Sequence, residues 1–461
     1  MRTHKPWLLL SVCAAALSAC AVGEEYQLPS LTLPTGWHSD TPTSAQEASI
    51  PSNRADWWQS FGDPVLDGLM VRALAGNHSR QMMQARVLEA RGGARSVGGN
   101  LWPMIGAGGT ATRYNLGEQT FDKRFSYYQA GFDASYELDF FGGNRRRAEA
   151  ADANAEAADA EYADATLTLT AEVARHYVQW RQYQRQAELA TEAAKAEETL
   201  LSFAKAKHAA KIISDAEFAQ AEAHALTVQS AAPQLEAARD ATGYQLSVLL
   251  GENPGALNDE LKEMKPIPEA KLLPVLAAPA EVIARRPDIK AAERQLAATT
   301  AMQGAALAQL FPKLSLSAFY GVQDSVMFGS NPIWALASSI VMPVIDFGRI
   351  RGQIDVADAR QVQAMHAYQE TVLKALAEIE TALTNVGKEG KRAEALSNAA
   401  ADAEKNLKLM EAQQKQGVVA TADVLMAKQQ WIELAQQAAS SRAALAQDVI
   451  ALYKALAITN K

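Results

Sequence analysis

The chain repeats one set of motifs at a nearly constant spacing, and this duplication constrains its fold more than any single motif. Leu101-Trp102-Pro103 is echoed by Leu310-Phe311-Pro312, and each tripeptide closes a helical pattern and opens a strand-like one. Asp139-Phe140-Phe141-Gly142 is echoed by Asp346-Phe347-Gly348, and each closes a strand pattern and opens a long helical one. Both pairs lie about 207 to 209 positions apart. The sequence therefore predicts two copies of one unit, in which strands precede a long helical hairpin.

A very long helix is predicted in each copy. Apolar residues recur in alternating steps of four and three from about 144 to 209 and from about 349 to 416, which is a heptad seam. At 1.5 Å per residue, each helix would be about 100 Å long. Each then reverses at a short tip. The return path of the first copy is predicted as two helices, 218–250 and 280–310, joined by a Pro-rich linker at 266–279.

Four segments alternate apolar and polar residues as β-strands do, near 101–114, 126–139, 312–321 and 332–345. Such alternation over about 10 residues is typical of a membrane strand around a wet lumen, and it also fits a soluble β-sandwich. In the membrane interpretation, the lipid-facing side chains are those of Tyr128, Phe132, Tyr136, Leu314, Leu316 and Trp334. The polar side chains facing the lumen are those of Gln129, Asp133 and Glu137.

The number of strands bears on the assembly. Four strands cannot close a barrel, and an open sheet edge in lipid leaves backbone groups unpaired at a cost of several kcal/mol each. If the strands lie in a membrane, several chains must share one barrel, and three chains would supply twelve strands. The residues alone therefore predict an oligomeric tube.

The N-terminus indicates export and lipid attachment. Arg2 and Lys5 precede an apolar run of about 11 residues, which is too short to span a bilayer but is typical of a signal peptide. Leu17-Ser18-Ala19-Cys20 resembles a bacterial lipobox, in which the cysteine carries the lipid. Ala21 in the second mature position favours sorting to the outer membrane. The alternative is an ordinary signal peptide with a cysteine near its cleavage site.

Composition excludes several classes of function. The formal net charge of −8 and the lack of a basic block argue against a nucleic-acid partner. The two cysteines, Cys13 and Cys20, leave no disulfide and no thiolate metal cluster in the mature chain. The seven histidines are scattered without metal-ligand spacing, and no phosphate-binding loop is present. The sequence therefore predicts no enzymatic activity and no cofactor other than a covalent lipid on Cys20.

Further motifs extend over nearly the whole mature chain and resemble those of TolC-like outer-membrane efflux proteins. They are Arg285-Arg286-Pro287-Asp288-Ile289, Met342-Pro343-Val344-Ile345-Asp346-Phe347-Gly348-Arg349 and Tyr136-Glu137-Leu138-Asp139-Phe140-Phe141-Gly142. Trp57-Trp58, with Phe61 and Asp63-Pro64, is similar to the NodT lipoprotein branch of that family. The resemblance implies a homotrimer with a 12-stranded outer-membrane β-barrel joined to a periplasmic α-helical barrel. It also implies two partners, a periplasmic adaptor and an inner-membrane transporter of the RND type.

In this family the moving part is the periplasmic tip of the hairpins. The tip of the second copy contains Ala422, Asp423 and Met426, and Asp423 matches the first of two acidic positions of the family motif. Met426 stands where the second is commonly Asp, so one ring of carboxylates and one apolar ring are expected. Asp423 is equally consistent with an acidic residue favoured at a helix N-terminus. At the first tip, Ser214 and Glu217 fit a capping box.

The predicted organisation has five parts: a signal peptide at 1–19, a lipidated tether at 20–56, a first repeat at 57–265, a linker at 266–279 and a second repeat at 280–461. The helical hairpins occupy 144–250 and 349–458. The predicted fold is mainly α-helical with a membrane β-barrel, and the predicted function is efflux of small molecules through a duct. Two alternatives remain: a lipid-anchored helical scaffold without a channel, and a duct for type I protein secretion.

Overall fold

The computed structural model describes residues 21–39, 56–115, 124–269, 278–325 and 329–457. The signal peptide and Cys20 lie outside the described residues, as do part of the tether and part of the Pro-rich linker. Predictions about those segments are therefore not addressed by the fold.

The first copy begins with a 3-10 turn at Trp57–Phe61 and two helices, α1 (Pro64–Gly76) and α2 (His78–Gly98). Strands β1 (Met104–Asn115) and β2 (Arg124–Leu138) follow, and then the 67-residue helix α3 (Gly143–Ala209). Return helices α4 (Asp215–Gln229) and α5 (Ala231–Leu249) complete this copy.

The second copy repeats this order. It contains α6 (Pro279–Arg285), α7 (Pro287–Leu307), β3 (Lys313–Ser325), β4 (Gly329–Val341), the 67-residue helix α8 (Arg349–Lys415) and α9 (Thr421–Ala455). The two predicted long helices are confirmed to within about one residue at each end, which is the usual uncertainty of helix boundaries. No helix in the described part of the chain combines the length and the apolar composition needed to cross a membrane.

Both predicted return helices are interrupted, and proline explains each break. The predicted helix 218–250 is wrong because it divides at Ser230. The ring of Pro233 would clash with the carbonyl of Gln229, four residues earlier, and α4 ends at that residue. The predicted helix 280–310 divides at Arg286, whose extended backbone (φ −66°, ψ 125°) is the conformation favoured before Pro287.

The four described strands form one antiparallel sheet in the order β1-β2-β3-β4. Strand β4 ends at Val341, earlier than the predicted boundary near 345, and Pro343 lacks the N–H that a ladder requires. It also begins earlier, at Gly329. Pro332 is accommodated because β4 lies at an edge of the sheet of this chain.

The described residues divide into two compact units. Of the described residues, the first unit contains 21–31, 85–115, 124–161, 288–325 and 329–371, and the second contains 32–39, 56–84, 162–269, 278–287 and 372–457. In the first unit α3 packs on α7 through small side chains, those of Ala150, Ala153, Ala297, Ala298 and Ala301. Side chains this small allow the two helices to approach closely.

The second unit has a conventional apolar core. Trp57 is 1% exposed and stacks on Tyr453 with ring centroids 5.1 Å apart. Leu66, Leu69 and Leu246 are fully buried in the same cluster. The core joins the 3-10 turn and α1 to parts of α3, α5, α8 and α9, so it anchors the helices of both copies.

The segment 21–31 is docked along the first unit. The backbone N–H of Val22 donates to the carbonyl of Phe141 at 3.1 Å, and Arg146 donates to the carbonyl of Gly23 at 3.1 Å. A Cβ atom on Gly23 would lie only 2.6 Å from the Cα of Gly304, so glycine is required for this close approach. Further along, the Tyr26 hydroxyl donates to Glu293 at 2.8 Å. We call residues 21–31 the strap.

Candidate channel surfaces

The predicted lipid-facing residues share one face of the sheet. Pairing places Phe132 opposite Tyr320 and Tyr320 opposite Trp334, so the three rings form one row across β2, β3 and β4. Their side chains are 62%, 66% and 77% exposed. Tyr128, Tyr136, Leu314 and Leu316 lie on the same face by the alternation of the strands. This face is a continuous apolar and aromatic surface.

The opposite face carries the polar residues predicted to line the lumen. Gln129 pairs with Gln323, and its side chain accepts a hydrogen bond from the Tyr127 hydroxyl at 2.5 Å. Glu137 lies 3.9 Å from the Nζ of Lys313. The carboxylate of Asp133 lies over Gly106, where a Cβ atom would be 2.9 Å from Oδ1. The two faces of the sheet therefore differ in chemistry, as the alternation predicts.

Sequence reasoning missed one residue on the polar face, Phe319. Its ring lies over Gly131 and Gly321, because a Cβ atom on either glycine would be 2.8 Å from Phe319 Cζ. Gly131 and Gly321 are directly paired, so the ring covers a patch of bare backbone. Glycine within a strand pattern often marks such a close approach and was the available signal.

At the second tip, α8 ends at Lys415, and Gly417 just after it adopts a left-handed conformation with φ +75°. The N–H of Val418 donates to the carbonyl of Gln413 at 3.0 Å, and the N–H of Gly417 donates to that of Gln414 at 2.8 Å. This is a Schellman motif, and it turns the chain into α9.

The predicted gate residues lie in the first turns of α9. Asp423 is exposed, Met426 is 55% exposed and Ala422 is half-buried. Asp423 and Met426 are three positions apart and so lie on one side of the helix. Val424 and Ala427 turn the other way and are buried against Leu407. An acidic side chain and an apolar one are thus both available to a partner or to a lumen.

The first tip has the predicted capping box. The Ser214 hydroxyl accepts from the Glu217 N–H at 3.2 Å, and the Glu217 carboxylate accepts from the Ser214 N–H at 2.8 Å. That carboxylate accepts from both the N–H and, at 2.9 Å, the hydroxyl of Ser214, and these two hydrogen bonds hold the pKa of Glu217 below its ordinary value. Just after the end of α3, Lys211 adopts the left-handed conformation (φ 56°) that glycine adopts most readily.

A buried carboxylate, not foreseen from sequence, links three helices of the second unit. Glu197 on α3 is 5% exposed, its Oε1 lies 2.9 Å from Nδ1 of His224 on α4, and it accepts from Gln429 on α9. These contacts join segments distant in sequence, so no local pattern indicates them. Across the described ranges, histidine, cysteine and acidic residues form no group able to hold a metal ion.

Comparisons with known proteins agree with this geometry. A family model described as "Outer membrane efflux protein" matches residues 69–252 and 278–457. The pyoverdine export outer membrane protein OpmQ of Pseudomonas aeruginosa is 30% identical over 464 residues, with 97% of this chain and 95% of OpmQ covered. Nodulation protein T of Rhizobium leguminosarum bv. trifolii is 27% identical over 420 residues, with 89% and 88% covered.

Solved structures give the same result. The outer-membrane channel OprN is similar with a TM-score of 0.81 and 26% identity, over 95% of this chain and 99% of that one. The open state of the Neisseria gonorrhoeae MtrE outer membrane channel is similar with a TM-score of 0.80 and 27% identity, over 96% and 99%.

Proposed function

The chain belongs to the outer membrane efflux protein family, and from that premise we propose that three copies form a duct that exports small molecules. The family is one of outer-membrane channels that extend into the periplasm, and it transports rather than catalyses. The three copies would share one 12-stranded barrel and one α-helical barrel.

The observation that supports the trimer best is the sheet. Its two faces differ in chemistry, and within the described residues β1 and β4 each pair with a single neighbour. An unpaired edge is not tolerated in the hydrocarbon of a membrane because its backbone groups have no hydrogen-bond partner there. If β4 of one copy pairs with β1 of the next, three copies leave no edge.

The remaining parts of the proposal follow the same premise. Cys20 carries the lipid and precedes the docked strap, which begins at Ala21. The turn containing Ala422, Asp423 and Met426 forms the periplasmic gate. A periplasmic adaptor and an inner-membrane RND-type transporter deliver the substrate. OpmQ, by its name, exports pyoverdine, which supports small molecules as the cargo.

The experiment that tests the trimer is the mass of the detergent-extracted mature protein, measured by light scattering with correction for bound detergent. Three chains per particle are expected. A stable monomer would leave four strands that cannot close, and the duct would have to be abandoned in favour of a lipid-anchored scaffold. Reconstitution into planar bilayers should then show ion conductance for the trimer and none for a scaffold.

A further inference from the structure

A positively charged groove lies in the first unit, beside the sheet. It has a volume of about 520 Å³ and is bordered by the first turns of α3 and α8 and by the second half of α7. This size is within the range of small-molecule binding sites. Arg147, Arg349 and Arg360 line it, with apolar surface from Met302 and Val356, and none of its described lining residues is an Asp or Glu.

Within the part of the chain that the structure describes, Arg147 in the groove lacks the carboxylate partner that the two arginines before it in the sequence have. Arg147 belongs to a run of three arginines at the start of α3. Arg145 lies 3.8 Å from Asp139, and Arg146 is buried and pairs with Glu149 at 2.9 Å. Arg147 instead donates to the neutral Asn144 side chain at 2.7 Å.

The arginines of α8 are exposed at the groove. Arg360 is exposed, and the nearest acid along the helix, Asp358, accepts a hydrogen bond from Gln303 at 3.0 Å. Arg349 interacts electrostatically with one carboxylate, because its positive charge contributes to lowering the pKa of Asp346. That carboxylate chiefly accepts from the N–H groups of Ile350 and Gly348.

The groove adjoins a smaller cavity that is partly lined by residues of the polar face of the sheet. This cavity is lined by Glu137 and Lys313 of that face and also by Arg147, Ala305 and Gln309. These last three residues line the groove as well, so the two spaces adjoin. The strap contacts α7 on another side, at Glu293 and Gly304. Gly304 is two positions after Met302, which is about 200° around a helix.

We infer that the groove is a transit site for organic anions, where carboxylate, phosphate or sulfonate groups of an exported molecule pair with Arg349 and Arg360 while its apolar part rests on Met302 and Val356. The inference rests on the proposed function, because the polar face of the sheet lines a lumen only in the closed barrel. Guanidinium groups suit such anions since they donate two parallel hydrogen bonds.

A labelling experiment tests the site. Met302, which is 47% exposed, is changed to cysteine in the full-length protein with both Cys13 and Cys20 replaced by serine. The detergent-extracted protein is reacted with two methanethiosulfonate reagents, one carrying a sulfonate and one a trimethylammonium group. We expect the anionic-to-cationic rate ratio to be about tenfold higher than at Leu409→Cys, a control on α8, because local positive charge concentrates anions. In Met302→Cys with Arg349→Gln and Arg360→Gln, the ratio should fall to that of the control.

Competition identifies the source of the anion. Millimolar citrate should slow labelling at Met302→Cys and leave Leu409→Cys unchanged. If citrate has no effect and nanodiscs containing phosphatidylglycerol protect the thiol where phosphatidylcholine nanodiscs do not, the groove binds a lipid headgroup and the transit site is refuted. Equal rate ratios at the two cysteines would also refute it. The labelling-rate ratio is measured on the same detergent-extracted particles whose mass is determined by light scattering. If those particles are monomers, the duct is refuted independently of the rate ratio.

Discussion

At the scale of single residues, one buried hydroxyl connects a helix cap to a buried cation. Tyr177 is fully buried, and its hydroxyl donates to Asp63 at 2.6 Å and accepts from Nε of Arg181 at 3.1 Å. Burial, and then the hydrogen bond to Asp63, raises the pKa of Tyr177 well above its ordinary value. Asp63 also caps α1 by accepting from the N–H of Val65 at 2.9 Å.

Tyr177→Phe should therefore destabilise the protein by about 1–3 kcal/mol, the usual cost of leaving buried polar groups unpaired. We expect a lower melting temperature of the detergent-extracted protein and faster hydrogen exchange at the Val65 amide. Tyr183→Phe is the matched control, because its half-buried hydroxyl accepts only from Gln179 at 3.2 Å and that donor can turn to water. Equal effects of the two substitutions would contradict this account.

A second residue-scale contact depends on pH. The Glu380 carboxylate accepts from the N–H groups of His38 and Ser39, at 2.7 and 3.0 Å, and from the Ser39 hydroxyl. Partial burial opposes ionisation, but these hydrogen bonds outweigh it and lower the pKa of Glu380. A carboxyl group with a lowered pKa stabilises the folded contact above its ordinary pKa, about 4.3, and loses that contribution as the pH falls through the lowered value.

Hydrogen exchange should show this dependence directly. Protection of the His38 and Ser39 amides, corrected for intrinsic rates, should be high at pH 7 and should decrease below about pH 4. Glu380→Gln should reduce protection at pH 7 and abolish its pH dependence. Glu394→Gln, at an exposed position on the same helix, should change neither. Unaltered protection in Glu380→Gln would show that the carboxylate does not hold this segment.

At the scale of elements, local patterns predicted what local physics determines. The long helices α3 and α8 have uninterrupted heptads, and the capping box of Ser214 and Glu217 is a four-residue motif, so the sequence was sufficient for both. The breaks at Ser230 and Arg286 are also encoded locally, by Pro233 and Pro287, but the helical periodicity continues across both prolines and therefore predicts one uninterrupted helix at each place. The cluster of Glu197, His224 and Gln429 could not be predicted because packing of three separate helices brings it together.

The paired glycines of the sheet give a prediction at this scale. A Cβ atom at Gly321 would lie 2.3 Å from the carbonyl oxygen of Ala130 and 2.7 Å from the Cα of Gly131. Gly321→Ala must therefore separate β2 from β3 or displace the Phe319 ring from the polar face of the sheet. We expect the proposed trimer to dissociate at a temperature at least several degrees lower in this variant, since core overpacking costs about 1–3 kcal/mol.

The control for this substitution is Gly108→Ala. Gly108 on β1 pairs with Gly131 on β2, and nothing lies within 4 Å of a Cβ atom placed on Gly108. Its trimer should dissociate at close to the wild-type temperature. The readout is the temperature at which the trimer band disappears in mild-detergent electrophoresis. If both variants behave alike, the close contact of β2 and β3 does not limit stability.

At the scale of the whole molecule, the proposed trimer would bring three copies of the same side chain together and so change the role of that residue. Asp423 on one chain is an exposed acid near a helix N-terminus, where acids are favoured in any case. On the threefold axis of a duct it becomes one of three converging carboxylates. The trimer would likewise place three Met426 side chains next to this ring, and three copies of the groove lined by Arg147, Arg349 and Arg360 near the barrel.

The charge selectivity of the channel distinguishes the two roles of Asp423, as an ordinary acid near a helix N-terminus or as one of a ring of three carboxylates. A ring of carboxylates favours cations, and an apolar ring adds a barrier without charge. Asp423→Ala should therefore reduce the cation-to-anion permeability ratio of reconstituted channels. Met426→Asp should raise that ratio by roughly twofold or more, because it adds three carboxylates about one helical turn from the first ring. Glu411→Gln changes an exposed acid of α8 before the tip and should leave the permeability ratio unchanged.

The permeability ratio is obtained from reversal potentials in a salt gradient. High ionic strength should diminish the difference between variants because it screens exposed charges. If both Asp423→Ala and Met426→Asp gave the wild-type reversal potential, the gate would lie elsewhere and Asp423 would be an ordinary first-turn acid.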